Sequence, residues 1–403
     1  MLNAMSSVPF WEGHVVDTVR EEPDGSLLVV LAECPESEAL CGACHQSCSL
    51  IHERRRRRVR DRDCLDRRVW VDVPIRRLDC HHCDARVAEH IAWLDRRSRI
   101  THRVRLWVEA LAQLLPIAHV AKLTGLHWHT IKTIDQQRLE RLHGEFSARD
   151  VRRIVMDEFA LHKGHRYATV ALDAERMRVL WVGEGNSREA IRPFFEALGA
   201  EGCEQIEAVA MDMNTAFDLE VRQHCPNAEV VYDLFHVIAR FGRDVIDRVR
   251  VDQANALRAE PKARQVIKRS RWLLLRNRVN LDNDQAVKLD ELLAANQPLA
   301  TVYLLKTELK EIWYAPTVRE AARRWKTWLR FALDSQIAAL VQFAKRLSRY
   351  RRGILASAIY PMNSSILEGV NNRIKVIKRM AYGFRDTSYF FLKIKDAFPG
   401  KAR

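Results

Sequence analysis

Three groups of residues in this 403-residue chain have the types and spacing for chemistry. The first is a pair of Cys-x-x-Cys turns, Cys41-Gly-Ala-Cys44 and Cys80-His-His-Cys83. Each turn lets two thiolates approach one ion, and two turns complete a tetrahedral four-cysteine zinc site with no open position for water, hence structural rather than catalytic. The second is a set of carboxylates. Asp157 closes the β-rich run RRIVMD and Asp212 closes EAVAMD, and acids that follow buried strands lie at a sheet's edge, where neighbouring strands can bring them together. Glu368 stands in NSSILEGVNNRIKVIKRM, a helical pattern otherwise polar or basic; taken alone it reads as a salt-bridge partner for the bases around it. The third is IAHVAKLTGLHWHTIKTIDQQ from Ile117 to Gln137. A small residue, Ala121, precedes Gly125 by four, and Ile131 and Ile134 follow at helical spacing, which is how a helix-turn-helix is built. His129, Thr130, Lys132 and Thr133 are then candidates to face a DNA major groove.

These groups need elements to position them. The 35 residues between the two cysteine turns exceed the ~15–20 of a zinc ribbon. Val69, Val71, Val73 and Ile75 alternate as in a half-buried strand, so an inserted hairpin is expected to absorb the excess. Alternatively these are reduced surface thiols, and Cys34, Cys48, Cys64, His81 and His82 leave the ligand set open to exchange. The Arg54–Arg58 run reads either as a solvated loop or as a phosphate contact. From about Arg103 to Glu145 the pattern is helical. From Arg152 to Asp233 five β-rich runs (RRIVMD, YATVALD, RVLWVG, EAVAMD, AEVVYD) appear, with helical stretches before the fourth and fifth. Three early strands followed by strand–helix alternation predict a mixed sheet with a meander at one edge. From about Val237 to Tyr350 the chain reads as helix throughout.

Composition sets the class. The chain is 47% hydrophobic and 29% charged, globular rather than disordered, and long enough for several domains. Its net charge of +14 favours a polyanionic partner. The charge is uneven: Ile337–Arg403 carries 14 Lys/Arg against 3 Asp/Glu, whereas the first 150 residues carry 23 against 22. The start, MLNAMSSVPFW, lacks the features of a signal peptide, and no apolar run approaches the ~18–20 residues of a membrane helix. A reducing cytoplasmic setting is the expectation, and there clustered cysteines bind metal more often than they form disulfides.

The MDEF run at Asp157, MDM at Asp212, YDLFHV at Asp233 and above all NSSILEGVNNRIKVIKRMAYGFRD resemble the ISL3 family of bacterial insertion-sequence transposases, over nearly the whole chain. The resemblance implies a multidomain α/β protein: a zinc-binding domain (1–92), a helix-turn-helix domain (93–150), and an RNase H-like core (151–236 and 356–403) interrupted by a helical insertion (237–355). It implies Asp157, Asp212 and Glu368 as an acidic triad holding two Mg²⁺ or Mn²⁺ ions, Asp157 bridging both. Hard cations take carboxylate oxygens, and two ions ~3.5–4 Å apart can activate an attacking hydroxyl and steady the leaving oxygen. The same site would hydrolyse a phosphodiester at the element's end and then use the freed 3′-hydroxyl to attack target DNA. Asp233 and His236 match the family pattern too; His236 is expected either to touch the scissile phosphate or a ligand, or to make a structural hydrogen bond. Arg373, Lys375, Lys378 and Arg379 cannot all share one helix face, so some should grip the DNA backbone while others face solvent. Asn371 and Asn372, one turn from Glu368, are placed to orient it or a phosphate. Glu220, acidic but outside the triad, is expected to tolerate alanine. The implied partners are terminal inverted repeats and target DNA, bound by at least a dimer at the nucleoid, with no membrane. A zinc and helix-turn-helix regulator, or a nuclease of the same fold without strand transfer, are the alternatives.

Overall fold

The computed structural model describes residues 10–162, 166–362 and 365–401, without the side chains of 365–367. Asn363 and Ser364, which open the NSSILEG run, and the first nine residues of the 1–92 segment lie outside the described residues. The chain divides into two compact units, up to Leu139 and from Glu140 onward.

In the first unit, β1 (His14–Glu21), β2 (Leu27–Glu33), β3 (Ile51–Cys64), β4 (Arg67–Cys80) and β5 (Ala85–Ala88) form one sheet, ordered β1-β2-β4-β3 with β5 also on β4. Alternation explains it: Val69, Val71, Val73 and Ile75 of β4 point into a core with Val29, Leu31 and Val59. The expected hairpin between the two cysteine turns is β3–β4. The arginine run is not a loop. It lies in β3, where Arg54 and Arg56 tie back to their own sheet through Glu33 and Asp72, and Arg57 donates to the backbone carbonyls of Arg96 and Ser98 in the segment after β5. β3 stands at the end of the β1-β2-β4-β3 order, and charge along such an edge discourages further strand pairing. Three helices follow, α1 (His102–Leu114), α2 (Ile117–Thr124) and α3 (Trp128–His143), packed through Val104, Val108, Val120, Ile131 and Ile134.

In the second unit all five β-rich runs are strands: β6 (Arg153–His162), β7 (Arg166–Asp173), β8 (Arg178–Glu184), β9 (Ala208–Met211) and β10 (Glu229–Tyr232). Their order is β10-β9-β6-β7-β8; β6, β7 and β8 form the antiparallel meander, while β6, β9 and β10 run parallel. Helices α4 (Arg188–Gln205) and α5 (Thr215–His224) are the crossovers that parallel strands require. A helical array follows: α6 (Leu234–Phe241), α7 (Asp247–Ala256), α8 (Pro261–Arg269), α9 (Arg271–Leu275), α10 (Asn283–Ala295), α11 (Gln297–Glu311), α12 (Val318–Asp334), α13 (Ala338–Leu347) and α14 (Arg351–Ala356). Two last helices, α15 (Ser365–Met380) and α16 (Thr387–Ala397), complete the unit.

The sheet is buried on both faces. One face, with Ile154, Met156, Val209 and Met211, packs against α4, α5 and the array. The other, with Val155, Ala210 and Val231, packs against Val370 and Ile374 of α15 and Phe390 and Ile394 of α16. No helix among the described residues is long and apolar enough to cross a membrane.

Candidate metal and nucleic-acid sites

In the parallel part of the second sheet, Val155 of β6 pairs with Ala210 of β9, and Met211 of β9 with Tyr232 of β10. Continuing that register sets Asp157, Asp212 and Asp233 at one level on three adjacent chains. Asp212 and Asp233 follow directly on their strands. Asp157 does not end its strand, as the RRIVMD reading supposed: β6 runs on to His162 because MDEFALH continues to alternate and to pair with β7. Asp157 is a buried carboxylate in mid-strand on the α15 face.

His236 gathers the three acids. Asp233 caps α6 by accepting from the Phe235 N–H, which brings His236 one turn in. Its Nδ1 lies 3.2 Å from Asp212 Oδ2 and its Nε2 3.6 Å from Asp233 Oδ2. Arg240, one turn further along α6, reaches Asp212 Oδ2 at 3.6 Å. The hydrogen bond to Asp212 raises His236 above the usual imidazole range against the opposing effect of burial, and the charges of Asp212, Asp233 and Asp157 add to it. For Asp212, burial alone would raise the carboxyl, but the bond and charge of His236, with Arg240, hold it below the usual range. Asp157 behaves oppositely: burial keeps it raised, and its bonds from the Glu158 N–H and Asn371 only partly offset that.

From the other side α15 supplies Asn371, whose Nδ2 donates to Asp157 Oδ2 at 2.6 Å. The Asn371 Oδ1 is buried and accepts no hydrogen bond from any described residue. Asn371 therefore orients Asp157 rather than Glu368. Glu368 lies three residues earlier on the same helix, exposed, and makes no ion pair with any described residue, so the salt-bridge reading of it finds no partner. The ligand oxygens of Asp157, Asp212 and Glu368 do not close to within 4.8 Å; among the described residues only the four cysteines form such a group.

Helix geometry sorts the remaining bases of α15. Glu368, Asn372, Lys375 and Arg379, spaced four, three and four apart, share one exposed stripe. Arg373 is exposed on another face. Lys378 turns onto β6, where its Nζ donates to the carbonyls of Ala160 and Leu161, a structural tie rather than a free phosphate contact. Glu220 is not the indifferent surface acid the sequence suggested. Its side chain is 0% exposed on α5 and is shared by Arg188 at 2.7 Å, Arg192 at 3.2 Å and His224 at 3.2 Å.

In the first unit the four Sγ atoms of Cys41, Cys44, Cys80 and Cys83 lie within 4.8 Å of one another. Cys41–Cys83 is 3.7 Å and Cys44–Cys80 3.6 Å. A tetrahedron of Zn–S bonds of ~2.3 Å has edges of about 3.8 Å, so the spacing fits one zinc. The backbone N–H groups of Cys44 and Ala43 bring the Cys41 thiol down to about 6. Gly42 is required in its turn: a Cβ there would stand 2.2 Å from the carbonyl oxygen of Ala88. Cys48 instead turns to the Asp79 carbonyl at 3.3 Å, and Cys64, His81 and His82 are exposed.

The helix-turn-helix is formed as the spacing predicts. Gly125 ends α2 with φ of 68°, its N–H donating to the Ala121 carbonyl at 2.9 Å. On α3, His129, Thr130 and Thr133 are exposed and Lys132 is half-buried. Trp128, passed over in the sequence, is also exposed and stands edge-on to His129.

A family model described as transposase, for the DDE transposases of the ISL3 type, matches residues 154–394, more than half of the chain. A second, the helix-turn-helix domain of transposase family ISL3, matches residues 89–139. The chain is 51% identical over 400 residues to the transposase for insertion sequence element IS1001 of Bordetella parapertussis, covering 99% of this chain and 98% of that one. It is 27% identical over 394 residues to the transposase for insertion sequence element IS1557 of Mycobacterium tuberculosis (strain CDC 1551 / Oshkosh), covering 90% and 86%.

Proposed function

Because this chain belongs to the ISL3 family of transposases and is a DNA transposase, we propose that it cleaves and joins DNA strands at a site built on Asp157, Asp212 and Glu368. The β6–β10 sheet with α15 and α16 is read as an RNase H-like core, interrupted by the helices of 237–355. The observation that supports this most is the common level of Asp157, Asp212 and Asp233 around His236, met by Asn371 from the helix that carries Glu368.

The residues present suit hard divalent cations. All the donors are oxygens, and the buried Asn371 Oδ1 has no hydrogen-bond partner among the described residues. Asp157, Asp212 and Glu368 would hold Mg²⁺ or Mn²⁺, which when bound supplies Lewis-acid activation of the attacking hydroxyl and charge compensation at the leaving oxygen. The protein's own groups do the rest. Asn371 fixes the Asp157 carboxylate. His236 and Arg240 neutralise Asp212. Lys375 and Arg379, on the stripe of Glu368, neutralise the approaching phosphates.

Upstream, the cysteine cluster is read as a structural zinc site of the 1–92 domain, and α3 of the 93–150 domain as the helix that reads the terminal inverted repeats. Two ends must be held together for transposition, so at least two copies are needed on DNA. The test is a strand-transfer assay: the purified protein with Mg²⁺ and a terminal-repeat duplex carrying a pre-cut 3′-hydroxyl should give products joined to target DNA. Hydrolysis without joined products would point to a nuclease, and binding without either to a regulator.

A further inference from the structure

Within the helical array, residues 258–278 carry eight Lys/Arg and one Asp/Glu, the acid being Glu260. The segment contains α8 and α9, joined at Ser270, whose φ of −75° and ψ of −2° nearly continue the helix. Ile267, Ser270 and Leu274 are buried at helical spacing and anchor one side to the array. Lys262, Val266, Arg269, Trp272 and Arg276 follow one another at intervals of four, three, three and four, Arg258 stands in the turn just before α8, and every one of the six is exposed.

Two features separate this stripe from an ordinary solvated face. Arg258, Lys262, Arg269 and Arg276 form no salt bridge with any described acid, whereas the β3 arginines are neutralised largely by acids of their own sheet. Trp272 is 66% exposed, and Arg271 is the cation set over its ring, at 5.6 Å. Like charges gathered on one surface repel one another, so the surface is suited to a partner that brings negative charge together with some apolar area. Duplex DNA brings one negative charge per ~1.7 Å of axis, with deoxyribose between the phosphates for Trp272 to pack on. The seven steps from Lys262 to Arg269 span about 10 Å at 1.5 Å per residue, close to three base-pair steps of ~3.4 Å.

We infer that the stripe from Arg258 to Arg276 is a DNA-backbone contact surface, separate from α3 and from the carboxylate site, which holds duplex DNA without reading its sequence. The inference rests on the chain's being a DNA transposase but not on the assignment of the acidic triad.

The test uses the full chain and binding alone, without added magnesium. The Arg258→Gln, Lys262→Gln, Arg269→Gln protein is compared with the parent on terminal-repeat and random duplexes across a salt series. Removing one phosphate-neutralising cation lowers the magnitude of the log K against log salt slope by about 0.9, so the triple change should lower it by about 2.7 on both duplexes. Trp272→Ala should weaken both to a similar extent. Should the triple variant lose its fold by circular dichroism, Lys262→Gln and Arg269→Gln are measured singly, each expected to lower the slope by about 0.9. An unchanged slope on both duplexes overturns the inference and leaves an acidic polypeptide as the partner of this surface. A decrease confined to the terminal repeat would also overturn it, because the surface would then be reading sequence. Strand transfer by the parent, and its dependence on Asp157, are unaffected by either outcome, so the two readings fail separately.

Discussion

Replacing Asn371 by alanine tests how the carboxylate site is held. Its Nδ2 donates to Asp157 Oδ2 at 2.6 Å, leaving the Glu158 N–H, at 2.8 Å from Oδ1, as the other hydrogen bond to that carboxylate. A hydrogen bond to a charged group contributes ~1.5–3 kcal/mol. Burial already raises Asp157, and the Asn371 bond opposes that. Without it the carboxyl rises further, the charged form that a cation needs becomes scarcer, and the carboxylate is free to turn. At ~1.36 kcal/mol per decade the loss corresponds to roughly ten- to 150-fold in Mn²⁺ affinity and in strand-transfer rate. Protons compete better for the raised group, so the deficit should widen as the pH falls. The assay is Mn²⁺ titration of DNA-free protein over a descending pH series, with Asp157→Ala as background, alongside strand transfer at the same pH values. Asn371→Ala with unchanged Mn²⁺ affinity and no widening toward low pH would refute the reasoning.

Three further outcomes are expected. Glu220→Ala strips a buried carboxylate from Arg188, Arg192 and His224; since those cations are partly exposed and can rehydrate, the cost is about 1–3 kcal/mol, seen as a Tm lowered by roughly 2–10 °C, and an unchanged Tm would contradict the burial argument. The protein as purified should hold about one zinc per chain, and Cys80→Ser should release it and unfold the first unit's cysteine turns while the second unit keeps its melting transition; retained zinc would exclude Cys80 as a ligand. Thr130→Ala or His129→Ala should reduce discrimination between terminal repeat and random DNA by about 1–3 kcal/mol, whereas equal weakening on both would mean backbone contact.

Much of this was legible in the sequence because local alternation carries it. All five β-rich runs of the second unit are strands, the meander lies at one edge, and the Val69–Ile75 alternation marks the hairpin between the cysteine turns. Gly125 announced its turn because no other residue takes its φ so readily. What failed depends on partners distant in sequence. Asp157 appeared to end a strand because an acid rarely sits in a buried one; here His236 and Asn371, 79 and 214 residues away, make it tolerable. The arginine run read as a solvated loop or a phosphate contact, since no local pattern reveals that β2, β4 and the segment after β5 offer acids and carbonyls to Arg54, Arg56 and Arg57. Glu220 was expected to tolerate alanine as an acid outside the triad, and only the packing of α4 on α5 brings the two arginines over it. Which of Arg373, Lys375, Lys378 and Arg379 turn away from solvent was not legible, because charge, not direction, is visible in a sequence; Lys378 turns onto β6.

The central claim is that Asp157, Asp212 and Glu368 act together, and Glu368 tests it most directly, being exposed and tied to neither Asp157 nor Asp212. The measurement is strand transfer of a pre-cut terminal-repeat end by Glu368→Ala, beside Asp157→Ala and Asp212→Ala, with DNA affinity measured on the same samples. The account predicts that all three lose joining altogether while binding the end as tightly as the parent, since each change only removes a negative charge from the neighbourhood of the phosphates. Near-parental joining by Glu368→Ala would contradict it, and would place the third ligand on another residue.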